Sequence, residues 1–438
     1  MTHANRTRNV FCVLLLSLLV AACASGGGTY QLDLMPAPDV YDDGNIDPFA
    51  DNAAIQEGAQ PEMLFATDRA PALPDDKRYE HYTNQRGHVL RLGSARIDFG
   101  HDESITWEEA RRISLLKNRT EDYPLEVSGV TEFGVLAGSI RPFDEGLVAS
   151  EEPGQRFIAE IDRRLANSAS KDVYIYVHGY KVDFENPLLV ASELWHFLGY
   201  NGAFIAFSWP TTAKTLAYFS DIESAMASAR ALRMLVVSIA ENSQVERIHI
   251  IGYSAGTRVV GRMLADFGIL GYGRSDDEIR DKLKLGHVIL TGSDVDRAIL
   301  GGYILDGALR IPSSLTIYVS TTDKALSASR FMLGRSRSGQ LSDIETLGSS
   351  GREFFADADA LRIIDVTNAE GSQSGNGHAY FRSSPWVSSD ILMTLLYDLP
   401  PDERGLVWSD DVPLWTFPDD YAARLGEALR ASRPELFP

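Results

Sequence analysis

Cysteine is almost missing from this chain of 438 residues: there are two, Cys12 and Cys23, and both lie in the first 23 residues. The sequence also lacks the pattern His-Glu-x-x-His, a cysteine cluster and a close pair of histidines. Zinc and other metals bound through nitrogen or sulfur need such groupings. We therefore expect no metal site and no cofactor.

Positive charge is also scarce. The chain has 41 lysines and arginines against 61 aspartates and glutamates, so its net charge is −20. A nucleic-acid partner would need basic residues to neutralise its phosphates, and docking on anionic lipid needs a basic surface. Neither is expected, and we attribute the acidity to solubility. The length and the content of 44% hydrophobic and 23% charged residues suit a soluble protein of one large α/β domain or two ordinary ones.

The apolar run Val10–Val20 is too short for a stable membrane span. Two arginines precede it and two alanines follow it, which is typical of a secretory signal. The residues that end at Cys23 resemble a bacterial lipobox, in which cleavage precedes an acylated cysteine. We expect a signal peptide at 1–22, lipidation of Cys23 and a flexible Gly-, Asp- and Pro-rich tether at 23–60. An ordinary signal peptide cut elsewhere is the alternative.

If Cys23 is acylated, the protein belongs to the bacterial cell envelope and reaches the membrane through its lipid alone. Ala24 follows the cysteine where some lipoproteins carry aspartate. By resemblance to known lipoproteins, this alanine favours the outer membrane, with the protein facing the periplasm or the cell exterior. The sequence leaves the oligomeric state open.

Apolar strands alternate with helical patterns from Lys171 onward, after three earlier strands and two helices. This rhythm predicts an α/β fold with a mostly parallel central sheet and helices on both faces. We place one domain at 61–400 and a C-terminal extension, packed on that domain, at 401–438. In such sheets the chemistry gathers at the carboxyl ends of the strands. The predicted strands of the regular part are 173–177, 203–207, 248–251, 287–290, 315–319 and 361–366.

The strand 248–251 ends in Gly-Tyr-Ser-Ala-Gly at 252–256, and a helical pattern begins at Thr257. A serine in a sharp turn between a strand and a helix is typical of an exposed nucleophile. The two glycines let strand and helix approach closely, and the helix N-terminus favours negative charge near the hydroxyl. We interpret Ser254 as a nucleophile; the alternative is a serine N-cap with no chemical role.

A serine nucleophile needs a general base, and the chain has nine histidines. Eight lie in the signal segment, ahead of the regular β/α part, in the loop after strand 173–177, or inside a predicted helix or strand. His378 follows the last predicted strand, downstream of the serine. We expect His378 to take the proton of Ser254 and return it to the leaving group. The alternative is a surface histidine.

The acid that orients the histidine has two candidates. Asp323 directly follows the strand 315–319, and Asp294 follows the strand 287–290. Either could hold the imidazole tautomer and stabilise the imidazolium. We prefer Asp323, because it directly follows a strand in the usual place for this acid. Asp294 remains the alternative acid. The other interpretation of Asp294 is a helix N-cap with no catalytic role.

An oxyanion hole needs two backbone N–H donors. We assign one to Ala255, next after the nucleophile, and the other to Tyr180 in the loop His178-Gly179-Tyr180, with Gly179 in reserve. The glycine lets the backbone come close to a substrate. The side chain of His178 is expected to support this loop.

Eight motifs of the sequence recur together in one known group of proteins: Ala66–Arg69, Tyr176–Tyr180, Phe207–Pro210, Tyr218 with Asp221, Gly252–Gly256, Asp294–Asp296, Asp323–Leu326 and Gly377–His378. In this set the chain resembles the DUF900 group of bacterial α/β-hydrolases, which are esterase- or lipase-like. The resemblance covers about residues 62–397 and implies the α/β-hydrolase fold and its reaction class more than a substrate. This chain differs from many members, which carry Phe-Asn where it has Tyr180-Lys181.

No large lid domain is expected, because the interval between Asp294 and the next strand is short. The polar stretch 327–360 is long enough to cover the site. Three functions stay open: a serine hydrolase of small-molecule carboxylic esters, a peptidase or amidase with the same three residues, and a non-catalytic binding module on the same fold. An intact Ser, Asp and His set argues against the third.

Overall fold

The computed structural model describes residues 31–437 except positions 43, 51, 53–54, 56–60, 101–106, 121, 143, 145, 213–217, 334–335, 341–352, 354–357, 359 and 410–411. The predicted signal peptide and Cys23 lie outside the described residues, as does most of the predicted covering stretch 327–360.

In the described part of the chain, twelve strands form one sheet in the order β1-β4-β3-β2-β6-β5-β7-β8-β9-β10-β12-β11. Eight of them, from β2 across to β12, pair in parallel. The predicted α/β class with a mostly parallel central sheet is thus confirmed. The strands are β1 (Gln31–Asp33), β2 (Met63–Pro71), β3 (Tyr82–Phe99), β4 (Pro124–Val135), β5 (Asp172–Val177), β6 (Ala203–Ser208), β7 (Arg247–Tyr253), β8 (Leu285–Thr291), β9 (Ser314–Val319), β10 (Leu361–Asp365), β11 (Val407–Ser409) and β12 (Leu414–Thr416).

Helices cover both faces of this sheet. Alternate residues of β5 enter two separate cores: Val173, Ile175 and Val177 pack on the side of α2, α4 and α5, and Tyr174 and Tyr176 on the side of α3, α10 and α11. A strand buried on both faces reads as a continuous apolar run, as the sequence shows here. The helices found are α1 (Trp107–Ser114), α2 (Glu152–Ala166), α3 (Glu185–Phe197), α4 (Tyr218–Asn242), α5 (Gly256–Leu270), α6 (Asp276–Leu283), α7 (Arg297–Leu305), α8 (Lys324–Leu333), α9 (Tyr380–Ser383), α10 (Pro385–Tyr397) and α11 (Tyr421–Ser432). Across the residues that the structure describes, none of these helices is long and apolar enough to cross a bilayer.

The flexible tether predicted for 23–60 is wrong for its described part. β1 pairs antiparallel with β4, and the side chains of Met35 and Phe49 are buried against the domain. The hydroxyl of Tyr41 donates a 2.6 Å hydrogen bond to the carbonyl of Phe197. The apolar residues of this segment follow neither a helical nor a strand period, and they are interspersed with glycines, aspartates and prolines. The sequence therefore gives no signal that they are buried.

The C-terminal extension continues the sheet. β12 pairs in parallel with β10, and β11 folds back on β12 so that Trp408 lies opposite Trp415. Helix α11 buries Tyr421, Leu425 and Leu429. The described residues of this extension, 401–409 and 412–437, therefore belong to the same sheet and core as the rest of the domain.

The hairpin of β2 and β3 is longer than its apolar pattern predicts. The apolar strand patterns of the sequence cover residues 63–67 and 88–99, whereas the observed strands run to Pro71 and start at Tyr82. The added residues are mostly polar, and irregular pairing around Arg69 shifts the register there. This extension carries Arg69 opposite Arg86 and brings it to the carboxyl end of the parallel strands, next to the loop after β5.

Candidate active site

Ser254 occupies the turn between β7 and α5 with a left-handed backbone, at φ +50°. Residues with a side chain rarely adopt this conformation, which stores strain on the order of 1–3 kcal/mol. The surroundings enforce it. The amide of Ser254 donates to the carbonyl of Thr291 at 2.9 Å, and a Cβ atom at Gly256 would clash with the carbonyl oxygens of Val177 and His178. The turn therefore presents the serine at the carboxyl end of the sheet.

The hydroxyl of Ser254 lies 2.8 Å from Nε2 of His378, and Nδ1 of the same ring lies 2.7 Å from Oδ2 of Asp323. A carboxylate can only accept, so Asp323 keeps the proton on Nδ1 and leaves the lone pair of Nε2 facing the hydroxyl. The N-cap of α5 is Ala255, so Ser254 is not the cap. Such an arrangement can remove the serine proton as the oxygen attacks an electrophilic carbon.

The loops that carry the acid and the histidine are tied together. Oδ1 of Asp323 accepts the amide of Leu326 at 2.9 Å, which anchors the carboxylate to the first turn of α8. The amide of Lys324 donates to the carbonyl of Asn376 at 3.0 Å, and Oδ1 of Asn376 accepts the amide of His378 at 3.1 Å. Acid and imidazole thus form one braced unit above β9 and β10.

Asp294, the alternative acid, is engaged elsewhere. Its buried carboxylate accepts Nε of Arg258 at 3.0 Å and the hydroxyl of Ser329 at 2.7 Å, and Nε of Arg337 lies 3.6 Å away. The side chain that caps α7 is Asp296. Of the two candidates, the structure brings Asp323 to His378 and holds Asp294 in a buried network with arginines.

Sequence reasoning missed Gly292 and Tyr380, which shape the wall behind the imidazole. Gly292 has φ +54°, and a Cβ there would lie 2.9 Å from Cε1 of His378. The hydroxyl of Tyr380 accepts the amide of Gly292 at 2.5 Å and donates to the carbonyl of Tyr318 at 3.0 Å. The ring of Tyr253 lies 5.1 Å from the imidazole. The one sequence signal was that Tyr380 follows His378 by two positions.

The loop after β5 touches the turn of the serine, because a Cβ at Gly179 would lie 2.9 Å from Cβ of Ser254. Nδ1 of His178 lies 2.7 Å from the carbonyl oxygen of Gly179. In a trans peptide the carbonyl and the next N–H point in opposite directions, so the Tyr180 amide points away from the His178 ring. The amide of Ala255 belongs to the start of α5, where the first amides have no partner within the helix. The two predicted oxyanion donors thus lie on the two segments that meet at Ser254.

A buried arginine stands behind this loop. Nη2 of Arg69 donates to the carbonyl of Val182 at 3.0 Å and lies 3.4 Å from Nε2 of His178. Burial, and then the charge of Arg69, hold the pKa of His178 well below its usual range, so this ring is neutral at neutral pH. Burial also lowers the pKa of Arg69 to about 10, which leaves the guanidinium charged. The sequence pointed to Arg69 only through a family motif and gave it no role.

Among the residues that the structure describes, no three His, Cys, Asp or Glu side chains come together to hold a metal ion. No curated protein and no solved structure matches the chain. The family model described as an alpha/beta hydrolase of unknown function (DUF900) matches residues 155–396. That range is more than half of the chain and contains Ser254, Asp323 and His378, whereas Arg69 precedes it. The sheet order and this match together show that the chain belongs to the DUF900 family of α/β-hydrolases.

Proposed function

We propose that the protein is a serine hydrolase that cleaves carboxylic esters through an acyl-enzyme on Ser254. Family membership supports a hydrolase without naming its substrate. The observation that carries the finer proposal is the chain of two short hydrogen-bond distances from Ser254 through His378 to Asp323, set on a strained turn at the carboxyl end of the sheet. Activated serines share this geometry across unrelated folds.

In the acylation step, Nε2 of His378 takes the proton of the Ser254 hydroxyl while the oxygen attacks the ester carbonyl carbon. The resulting oxyanion is stabilised by the amides of Ala255 and Tyr180, and Asp323 stabilises the imidazolium. The C–O bond to the alcohol then breaks, and the imidazolium gives its proton to the leaving oxygen. In deacylation, Nε2 of His378 takes a proton from water while the water oxygen attacks the acyl carbon. The bond between that carbon and the Ser254 oxygen then breaks, the imidazolium returns its proton to the serine oxygen, and the carboxylic acid leaves.

The test is hydrolysis of p-nitrophenyl acetate and butyrate by wild type, Ser254→Ala and His378→Ala, with Ser374→Ala as a matched control. Ser374 is an exposed serine in the loop before His378. We expect activity in wild type and the control and its loss in the other two. Equal rates for wild type and Ser254→Ala, together with no covalent labelling of wild type by a fluorophosphonate, would refute a serine hydrolase. A matched p-nitroanilide series that turned over faster than the esters would point to an amidase instead.

We also propose that Cys23 is acylated and holds the protein on the bacterial cell envelope. The support is the sequence around Cys23, with its preceding apolar run and small residues. Two or three acyl chains would be a firm anchor, where one would be marginal. Metabolic labelling with an alkyne fatty acid should mark wild type but not Cys23→Ser. Labelling of both proteins would contradict the proposal.

A further inference from the structure

The guanidinium of Arg69 is buried, and its direct hydrogen-bond partners are uncharged. Burial lowers the pKa of Arg69, and the charges of nearby Asp183, Glu185 and Asp68 partly offset this effect. The Arg69 side chain has no exposed surface, and its four hydrogen-bond partners are the hydroxyl of Ser208, the amide oxygen of Asn84, the carbonyl of Val182 and Nε2 of His178. Removing a cation from water is unfavourable even after the surroundings relax. Two of the four partners lie on the loop that carries the proposed oxyanion donor. The position therefore points to a role in that loop.

The ring of His178 faces two carbonyl groups and can serve only one of them. Nδ1 lies 2.7 Å from the oxygen of Gly179, and Nε2 lies 3.0 Å from the oxygen of Trp209. A neutral imidazole carries one N–H, so one carbonyl must face a lone pair. Arg69 decides between the two tautomers, because its Nη2 lies 3.4 Å from Nε2 and can only donate. The proton therefore belongs on Nδ1, where it donates to Gly179.

This tautomer fixes the orientation of the Gly179–Tyr180 peptide, which supplies the second proposed oxyanion donor. With Nδ1–H donating to the oxygen of Gly179, the Gly179–Tyr180 peptide cannot rotate without losing that bond, and the Tyr180 amide stays on the opposite side. Arg69 holds the far end of the same loop through the carbonyl of Val182, which also accepts the hydroxyl of Thr211 at 2.9 Å. The loop is thus restrained at both ends of the segment that supplies the donor.

We propose that Arg69 is a positioning residue that selects the Nδ1–H tautomer of His178 and thereby aims the Tyr180 amide at the oxyanion. The inference rests on the proposed function of Ser254. Losing one oxyanion donor lowers kcat by about 10²- to 10³-fold in other serine hydrolases. We therefore expect Arg69→Met to lower kcat per active site by roughly 10²-fold at a nearly unchanged KM. Arg69→Lys keeps the charge without the fork that reaches Val182 and His178, so its loss should be smaller.

The test compares wild type, Arg69→Met and Arg69→Lys with Arg86→Met as the matched control. Arg86 pairs with Arg69 across the β2–β3 hairpin, but its side chain is 38% exposed and its carboxylate neighbour, Glu223, lies 3.9 Å away. Active-site titration with a fluorophosphonate counts the folded sites, so that kcat refers to competent enzyme. Inhibition by a trifluoromethyl ketone, whose adduct carries an oxyanion, should weaken in parallel with kcat in Arg69→Met and stay unchanged in Arg86→Met.

A second readout needs no activity. Nitrogen NMR of histidine-labelled protein reports the tautomer of His178, whose signal is assigned by its loss in His178→Gln. We expect Nδ1–H in wild type and Nε2–H in Arg69→Met. Wild-type kcat per titrated site in Arg69→Met, or the same tautomer in both proteins, would overturn the inference. Failure of the proposed function looks different, because it would leave wild type no faster than Ser254→Ala.

Discussion

Replacing Asp323 by asparagine, and Asp294 by asparagine in a second protein, separates the two carboxylates that follow neighbouring strands of the sheet. Asp323 is buried and receives both Nδ1–H of His378 and the amide of Leu326. An asparagine side chain has only one acceptor oxygen. When that oxygen accepts the amide of Leu326, the NH₂ group of the asparagine faces Nδ1 of His378. The imidazole must then carry its proton on Nε2, where it cannot accept the proton of Ser254. The matching change in another serine hydrolase lowers kcat about 10⁴-fold, which is about 5 kcal/mol of transition-state stabilisation.

Asp294→Asn should act on stability instead. The change leaves the buried side chains of Arg258 and Arg337 without their carboxylate. Removing one partner of a buried ion pair costs roughly 3–5 kcal/mol of unfolding free energy. The network lies apart from the contacts of His378, so kcat per folded site should stay within a few fold of wild type.

Two measurements on the same preparations separate these effects. Hydrolysis of p-nitrophenyl butyrate, divided by the sites that a fluorophosphonate titrates, gives kcat per competent enzyme. Urea unfolding gives stability. A large fall of kcat per site in Asp294→Asn, with near wild-type kcat in Asp323→Asn, would refute the assignment of the acid and the tautomer argument behind it.

Three further predictions concern stability. Ser254→Gly should unfold at a higher urea concentration than Ser254→Ala, with a free energy of unfolding larger by roughly 1 kcal/mol, because glycine adopts a positive φ without steric cost. Equal urea midpoints would contradict the strain described for this turn. Burial raises the pKa of Asp68 from 3.8 to about 6, so the folded protein loses stability as pH rises through that range. Asp68→Asn should therefore stabilise by about 3 kcal/mol at pH 8, a gain that shrinks below pH 6 and vanishes below pH 4; a gain independent of pH in thermal melts would be evidence against a buried charge. Phe49→Ala should cost roughly 3–5 kcal/mol in urea, whereas Val148→Ala, at a position 89% exposed, should stay within about 0.5 kcal/mol; matching small losses would mean that residue 49 is not part of the core.

The fold class could be predicted from the sequence because the parallel strands have a recognisable pattern. Each of β5 to β10 is a short apolar run, buried on both faces and separated from the next by a helical pattern. The N-terminal segment gave no such signal. Met35 and Phe49 are buried without any period, so only their contacts with α3 and its neighbours reveal that they belong to the core. The polar ends of β2 and β3 were missed because they too lack an apolar period.

The site was predictable to the extent that it follows strand ends. Ser254 lies in a turn with its own local signature, and His378 stands out by its place in the chain. The preference for Asp323 over Asp294 rested on strand position alone, since both residues follow a strand. Their contacts, of Asp323 with His378 and of Asp294 with two arginines, appear only in the structure. The role of Arg69 depends on contacts with β6 and with the loop after β5, more than one hundred positions away, and no local pattern reports these.

The distance of 124 positions along the chain from Ser254 to His378 also delays the completion of the site while the protein is being synthesised. Ribosomes add about 5–20 residues per second, so the serine of a new chain waits about 6–25 s before the codon of its base is read. A serine hydroxyl without a base is a weak nucleophile. The growing chain therefore carries Ser254 without its proposed base, and the proposed reactivity can arise only after His378 has been made and β10, which precedes the loop of His378, has joined the sheet.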